Sequence, residues 1–163
     1  KAFPDSVTDV NLHTNGFCGG LCPQDLPASV KYFNVSRNKL KGSLDLENLP
    51  KSLQELFLNE NFFKGSINLT KLPMGLRWLV LAGNELSGEI DVTNLPPRMF
   101  ALSLYGNPVH GSTDFSKLPK SLQEFNVAQT QLEGVIPYQV GKDFSVEKSG
   151  VTFGKNLQNA EFL

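Results

Sequence analysis

LQELFLNENFFKGSINLTKLPMG, residues 53–75, is followed directly by LRWLVLAGNELSGEIDVTNLPPR, residues 76–98. Laid over each other, these stretches place Leu56 over Leu79, Leu58 over Leu81, Asn61 over Asn84, Phe63 over Leu86 and Gly65 over Gly88. The 23-residue period runs outward in both directions, with blocks opening at residues 7, 30, 53, 76, 99 and 122. The heptad LPKSLQE returns at 49–55 and 118–124, three periods apart. Such self-similarity marks a stacked-repeat architecture, in which each unit buries its apolar side against the next.

The columns state what each block does. Position 4 holds Val10, Phe33, Leu56, Leu79, Leu102 and Phe125, and position 6 holds Leu12, Val35, Leu58, Leu81, Leu104 and Val127. Apolar residues two apart predict a short strand with one buried face. Position 9 is Asn15, Asn38, Asn61, Asn84 and Asn107, then Thr130. A polar side chain repeated at a buried turn has to be hydrogen-bonded, and a primary amide offers both donors and an acceptor, so these five predict a structural asparagine ladder. Position 11 is apolar and position 13 is glycine in every block, which predicts a sharp turn toward the outer side. Leu-Pro follows at 49–50, 72–73, 95–96 and 118–119, so the outer side is expected to be extended or 3₁₀ rather than a long helix.

With LxxLxLxxN running from residue 7 to about 137, the chain resembles the leucine-rich-repeat family. Its outer segment, of the form LxGSIDLxxLPxS, resembles repeats common in protist proteins more than the long-helix mammalian type, and LEGVIP, ending at Pro137, also resembles plant-type repeats. The resemblance implies a mostly β solenoid of the α/β horseshoe class with a concave parallel sheet of about seven strands. Six turns at ~4.8 Å per strand would measure about 30 Å. One domain over residues 1–163 is expected. Residues 1–6, ending in Phe3-Pro4-Asp5-Ser6, read as a partial repeat or cap, as though the chain opened inside a repeat. Residues 7–137 make six repeats, and 138–163 an irregular seventh with a C-terminal cap. Val151-Thr152-Phe153-Gly154-Lys155-Asn156 fits LxLxxN three residues late, and is expected to be the seventh strand, covered by Asn159 to Leu163.

Composition narrows the function. Fifteen Lys and Arg stand against sixteen Asp and Glu, a net charge of −1 that argues against nucleic acid or an anionic membrane as the main partner. No apolar run nears the ~18 residues of a membrane span. No cofactor motif is present, and the two histidines, His13 and His110, lie four blocks apart without the acid, base or nucleophile that catalysis needs nearby. A non-enzymatic role is the expectation.

The strand period turns positions 3, 5, 7 and 8 to solvent, and in the resembled family that concave side is the usual ligand face. Its middle carries Tyr32, Phe57, Trp78, Val80 and Tyr105, flanked by Arg37, Glu55 and Glu60. Exposed aromatics with a polar rim form the anchors of many protein interfaces. Small residues beside them (Ala82, Gly83, Ala101, Gly106) leave room for an inserted side chain. The expected function is therefore a protein–protein interaction module whose concave face binds a protein or peptide, with self-association as a competing use. Two other readings are a glycan receptor or adhesin, using Asn11, Asn34, Asn59 and Asn126, and a spacer in a longer repeat array.

Cys18 and Cys22 are compatible with a disulfide closing their loop, with free thiols, or with a metal site including His13 that has too few ligands to be favoured. A disulfide would favour a secreted or surface location, and free thiols the cytoplasm. Two glycosylation sequons occur, Asn34-Val35-Ser36 on the predicted strand face and Asn68-Leu69-Thr70 on the outer side, and Asn68 is the candidate a glycan could occupy without covering the face.

Overall fold

The computed structural model describes residues 3–155 as a parallel β-solenoid without α-helix among them. Seven three-residue strands, Asp9–Asn11, Tyr32–Asn34, Glu55–Phe57, Trp78–Val80, Ala101–Ser103, Glu124–Asn126 and Asp143–Ser145, form one parallel sheet in chain order. Pairing is in register: Val10 lies beside Phe33, Phe33 beside Leu56, Leu56 beside Leu79. The buried residue of each strand thus falls in one column, and Phe33, Leu56, Leu79, Leu102 and Phe125 are at most 2% exposed. The position-6 column behind it is equally buried from Val35 to Val127. One continuous apolar core runs the length of the stack.

The asparagine column seals the turn that follows. In Asn107, Nδ2 donates to the carbonyl of Leu104 in its own turn (3.0 Å) and of Leu81 in the turn before (3.0 Å), while Oδ1 accepts from the Leu86 N–H (3.0 Å). Asn38, Asn61 and Asn84 repeat this pattern on Phe17, Leu40 and Phe63. The Asn15 amide, in the first described turn, donates within that turn to the carbonyls of Leu12 and His13. Thr130 reaches no farther than Val127 O, 2.7 Å away, so the ladder ends there.

Beyond the asparagines the chain runs along a second set of strands that the periodicity did not reveal. Cys18–Gly19, Lys39–Gly42, Phe62–Gly65 and Glu85–Leu86 form one four-stranded parallel sheet, and Gly88–Glu89, Val109–Ser112, Gln131–Ile136 and Gly150–Phe153 another. The position-13 glycines fall in these strands, and all six, from Gly19 to Gly134, have φ between 84° and 140°, a region where a Cβ is strained.

The outer side is extended, with 3₁₀ turns at Pro23–Asp25 and Phe115–Lys117. Each outer proline opens a tight turn, its carbonyl accepting from the N–H three residues on, as in Pro50–Leu53 and Pro96–Met99. The repeated heptad has a physical use: the Ser52 hydroxyl lies between the carbonyls of Ala28 and Val30, and Ser121 between those of Pro97 and Met99, tying each turn to its predecessor. A further polar column, Asp45, Asn68, Asp91 and Asp114, accepts from the N–H two residues ahead. These are Asx turns, which let a short outer loop reverse without helix.

The Asx column makes stability depend on acid. Asn48 holds the Asp45 carboxyl below its ordinary range, Thr93 does so for Asp91, and Ser116 for Asp114, while the Lys71 ammonium lowers Glu47. A carboxyl depressed in the folded state stabilises it above the ordinary value of about 4 and loses that contribution as pH falls through the lowered value. The urea midpoint should therefore drop as pH is taken from 5 toward 2. In Asp45→Asn/Asp91→Asn/Asp114→Asn, which keeps the acceptor as Asn68 does, that drop should be shallower. Identical slopes would remove these carboxylates as the cause.

The seventh turn is where the sequence expectation fails. Asp143 pairs with Glu124, 19 positions on instead of 23, because the sixth turn is four residues shorter than the others. Phe144, Val146, Ser149 and Val151 then occupy positions 4, 6, 9 and 11, and the Ser149 hydroxyl donates to Val146 O as Thr130 does to Val127 O. Val151-Thr152-Phe153, expected as the seventh strand of the main sheet, instead lies beside Gly134–Ile136 in the second sheet. Its apolar alternation was real, but it belonged to the next edge of the coil. Asn156 and the cap at 159–163 lie outside the described residues.

Candidate binding face

Positions 3 and 5 of the seven strands project from the main sheet on the side away from the core. Position 3 reads Asp9, Tyr32, Glu55, Trp78, Ala101, Glu124 and Asp143, each beside the next, and position 5 reads Asn11, Asn34, Phe57, Val80, Ser103, Asn126 and Ser145. Backbone hydrogen bonds continue between turns past the strand ends, for example Glu60 N–H to Ala82 O and Gly83 N–H to Tyr105 O. Position 8 is left-handed in every turn: Thr14, Arg37, Glu60, Gln129 and Lys148 have φ of 54–57°, and Gly83 and Gly106 of 63–65°. The two glycines read as clearance for a ligand therefore sit where the backbone itself favours glycine.

The structure divides the aromatic group. Tyr32 and Phe57 pack diagonally across adjacent strands, ring centroids 5.6 Å apart, with the Asn34 amide donating to the Tyr32 hydroxyl. Trp78 turns to Phe100, 4.9 Å away and tilted by 32°. Phe100 escaped the sequence reading although a signal existed: position 2 is otherwise Thr8, Lys31, Gln54, Arg77, Gln123 and Lys142, so one aromatic in that polar column stands out. Val80 lies beside Phe57, and Tyr105 is 38% exposed with no ring partner among the described residues. Arg37 and Glu60 neutralise each other across turns at 3.0 Å, both largely in solvent, where such a pair contributes at most about 1 kcal/mol. Glu55 sits between Tyr32 and Trp78 in register.

Next to Trp78 the face is hollowed. A depression of about 220 Å³ has Ala101 and Ser103 at its base, Trp78 and Val80 on one side, and Glu124 and Asp143 on the other. Asp143 went unnoticed in the sequence because the seventh strand was placed seven residues too late.

The remaining sequence candidates lie elsewhere. Cys18 and Cys22 are both free and exposed, so the disulfide weighed from sequence is not formed, and they group with no other metal-binding residues among those described. Asn68 lies half-buried on the outer side, its amide donating to Glu47 and its oxygen accepting from Thr70. Asn34 accepts from both the N–H and the hydroxyl of Ser36.

No family model matches the sequence, and neither does any curated protein. Solved structures do match. The fold is a leucine-rich-repeat solenoid. The chain superposes on the Arabidopsis receptor kinase HAESA, solved in complex with the peptide hormone IDA and the co-receptor SERK1, with a TM-score of 0.72 at 23% identity over 91% of this chain and 26% of that one. The plant peptide hormone receptor RGFR1, in complex with RGF2, gives 0.69 at 20% identity over 98% and 32%, and a TDR receptor 0.67 at 24% over 92% and 29%. The chain thus spans between a quarter and a third of each receptor.

Proposed function

We propose that this solenoid is a protein-interaction module that acts by binding rather than by catalysis and takes a protein or peptide on the concave side of its main sheet. The observation that carries this is the half-exposed aromatic band, Tyr32 on Phe57 and Trp78 on Phe100, held on strands locked from both sides. Rings already fixed by their neighbours lose little entropy when a partner covers them, and desolvated Trp and Tyr dominate interface energies. Tyr32, Arg37, Glu55, Phe57, Glu60, Trp78, Val80 and Tyr105 are the residues proposed to meet the partner. The complexes of HAESA with a peptide hormone and of RGFR1 with RGF2 lend support by showing this fold in peptide receptors.

Phe57→Ala/Trp78→Ala is expected to abolish capture of the partner from source cells while leaving the circular dichroism spectrum and unfolding midpoint close to wild type. A partner recovered equally by both proteins would refute the assignment to this face. A second copy of the chain recovered only by the wild type would make the face a self-association surface. Capture blocked by soluble saccharides would move the reading to a glycan.

A further inference from the structure

We infer that the hollow over Ala101 and Ser103 is a subsite for one cationic side chain, an arginine or lysine of a bound peptide, held between the Trp78–Phe100 stack and the carboxylates of Glu124 and Asp143. The inference rests on the binding reading of this face and specifies the chemistry of its ligand.

Charge is the first argument. Over the seven turns, positions 3, 5, 7 and 8 carry six carboxylates, Asp9, Glu55, Glu60, Glu124, Asp143 and Glu147, against two cations, Arg37 and Lys148. Arg37 is already matched by Glu60. A chain of net charge −1 therefore concentrates its negative charge on this one face, which is complementary to a basic partner.

The placement of the carboxylates is the second. Glu124 and Asp143 are direct neighbours on paired strands, and neither side chain has a hydrogen bond or ion pair among the described residues. Like charges side by side on a sheet cost stability, and a cation seated between them removes that cost. Lys142, next to Asp143 in the chain, does not do so: its Nζ donates to Lys120 O and lies 5.6 Å from the Phe144 ring.

Shape is the third. Position 3 reads Trp78, Ala101, Glu124 along the sheet, so a methyl group separates an indole from a carboxylate across two strand spacings, ~9.6 Å. A guanidinium in that gap can lie against the indole while its edge donates to the carboxylates, and an alkyl stem can run over Val80. At about 220 Å³ the hollow is smaller than a typical small-molecule site of ~300–1,000 Å³, and it suits a side chain delivered by a longer ligand.

A displayed library of random twelve-residue peptides tests this, selected in parallel on the wild type, Glu124→Gln/Asp143→Asn and Phe57→Ala. Wild type should enrich peptides with Arg or Lys at one fixed position, and replacing that residue by citrulline or norleucine should weaken binding roughly tenfold to a hundredfold. The same peptides should bind Glu124→Gln/Asp143→Asn weaker by a similar factor and lose much of their salt dependence. Trp78, the only tryptophan in the chain, reports occupancy through its emission. Without peptide, Glu124→Gln/Asp143→Asn should unfold at a higher urea concentration than wild type, which separates lost binding from lost folding. Enriched peptides without a basic position, or with one that ignores Glu124→Gln/Asp143→Asn, overturn the subsite; if Phe57→Ala still weakens them, the binding face stands. If wild type enriches nothing, the peptide subsite falls, and the binding face is then judged by partner capture alone.

Discussion

Asn107→Ala should cost about 3–5 kcal/mol of folding stability, more than the same change at any other position of the ladder. The cause is topological. Each position-6 carbonyl is normally capped twice, by the asparagine of its own turn and by that of the next: Leu58 O accepts from Asn61 and Asn84, and Leu81 O from Asn84 and Asn107. Asn84→Ala therefore leaves both of its carbonyls one donor and orphans only the Phe63 N–H. Among the described residues Leu104 O has no second donor, because the following turn has Thr130, whose hydroxyl goes to Val127 O. Removing Asn107 strands a carbonyl and the Leu86 N–H together in a region only 1% exposed, at about 1–3 kcal/mol for each unsatisfied group. Urea unfolding of the two variants decides the matter. Equal losses would mean that packing around the amides, not carbonyl capping, sets their value.

Phe125→Ala should be as damaging, at about 3–5 kcal/mol, but with its effect confined to one end. Phe125 is 1% exposed and packs its ring against Phe115 (5.9 Å) on the outer side and against Phe144 (5.6 Å, edge-on) in the seventh turn. It is the main aromatic bridge between the sixth and seventh turns, where the period has changed and the asparagine ladder has stopped. In a solenoid each turn is held only by its neighbours, so the loss should uncouple the C-terminal turns before the rest. Hydrogen exchange should accelerate most at 124–153 and least at 30–60. Uniform acceleration along the chain would show a single cooperative unit and contradict this picture.

The Asn107 and Phe125 sites also mark how far the sequence could be read. Residues 7–137 announced their fold because translation by 23 residues places like on like, and in a one-dimensional stack a column of the sequence is a column in space. Phe33, Leu56 and Leu79 could be assigned to the core, and Asn38 to Asn107 to a buried turn, from identity and spacing alone. The same logic marked Tyr32, Phe57 and Trp78 as outward-facing, since a three-residue strand offers only two sides.

What the repeat could not supply was anything set by contacts between columns or by a break in the period. Trp78 stacks on Phe100 rather than reaching toward Phe57, a contact between turns that no single column shows. The two flank sheets exist because successive glycine-containing turns come within hydrogen-bonding distance, which no one block contains. The four-residue shortening before Asp143 brought Phe144 and Val146 into the core column, with Ser149 standing in for asparagine. It also set the Asp143 carboxylate beside Glu124. The sequence by itself determined the solenoid, its core and its ladder, because those follow from local period and burial. Tertiary structure alone decided the seventh turn and the hollow beside Trp78, because register between turns is fixed by pairing and packing across the stack, not by the count of residues along the chain.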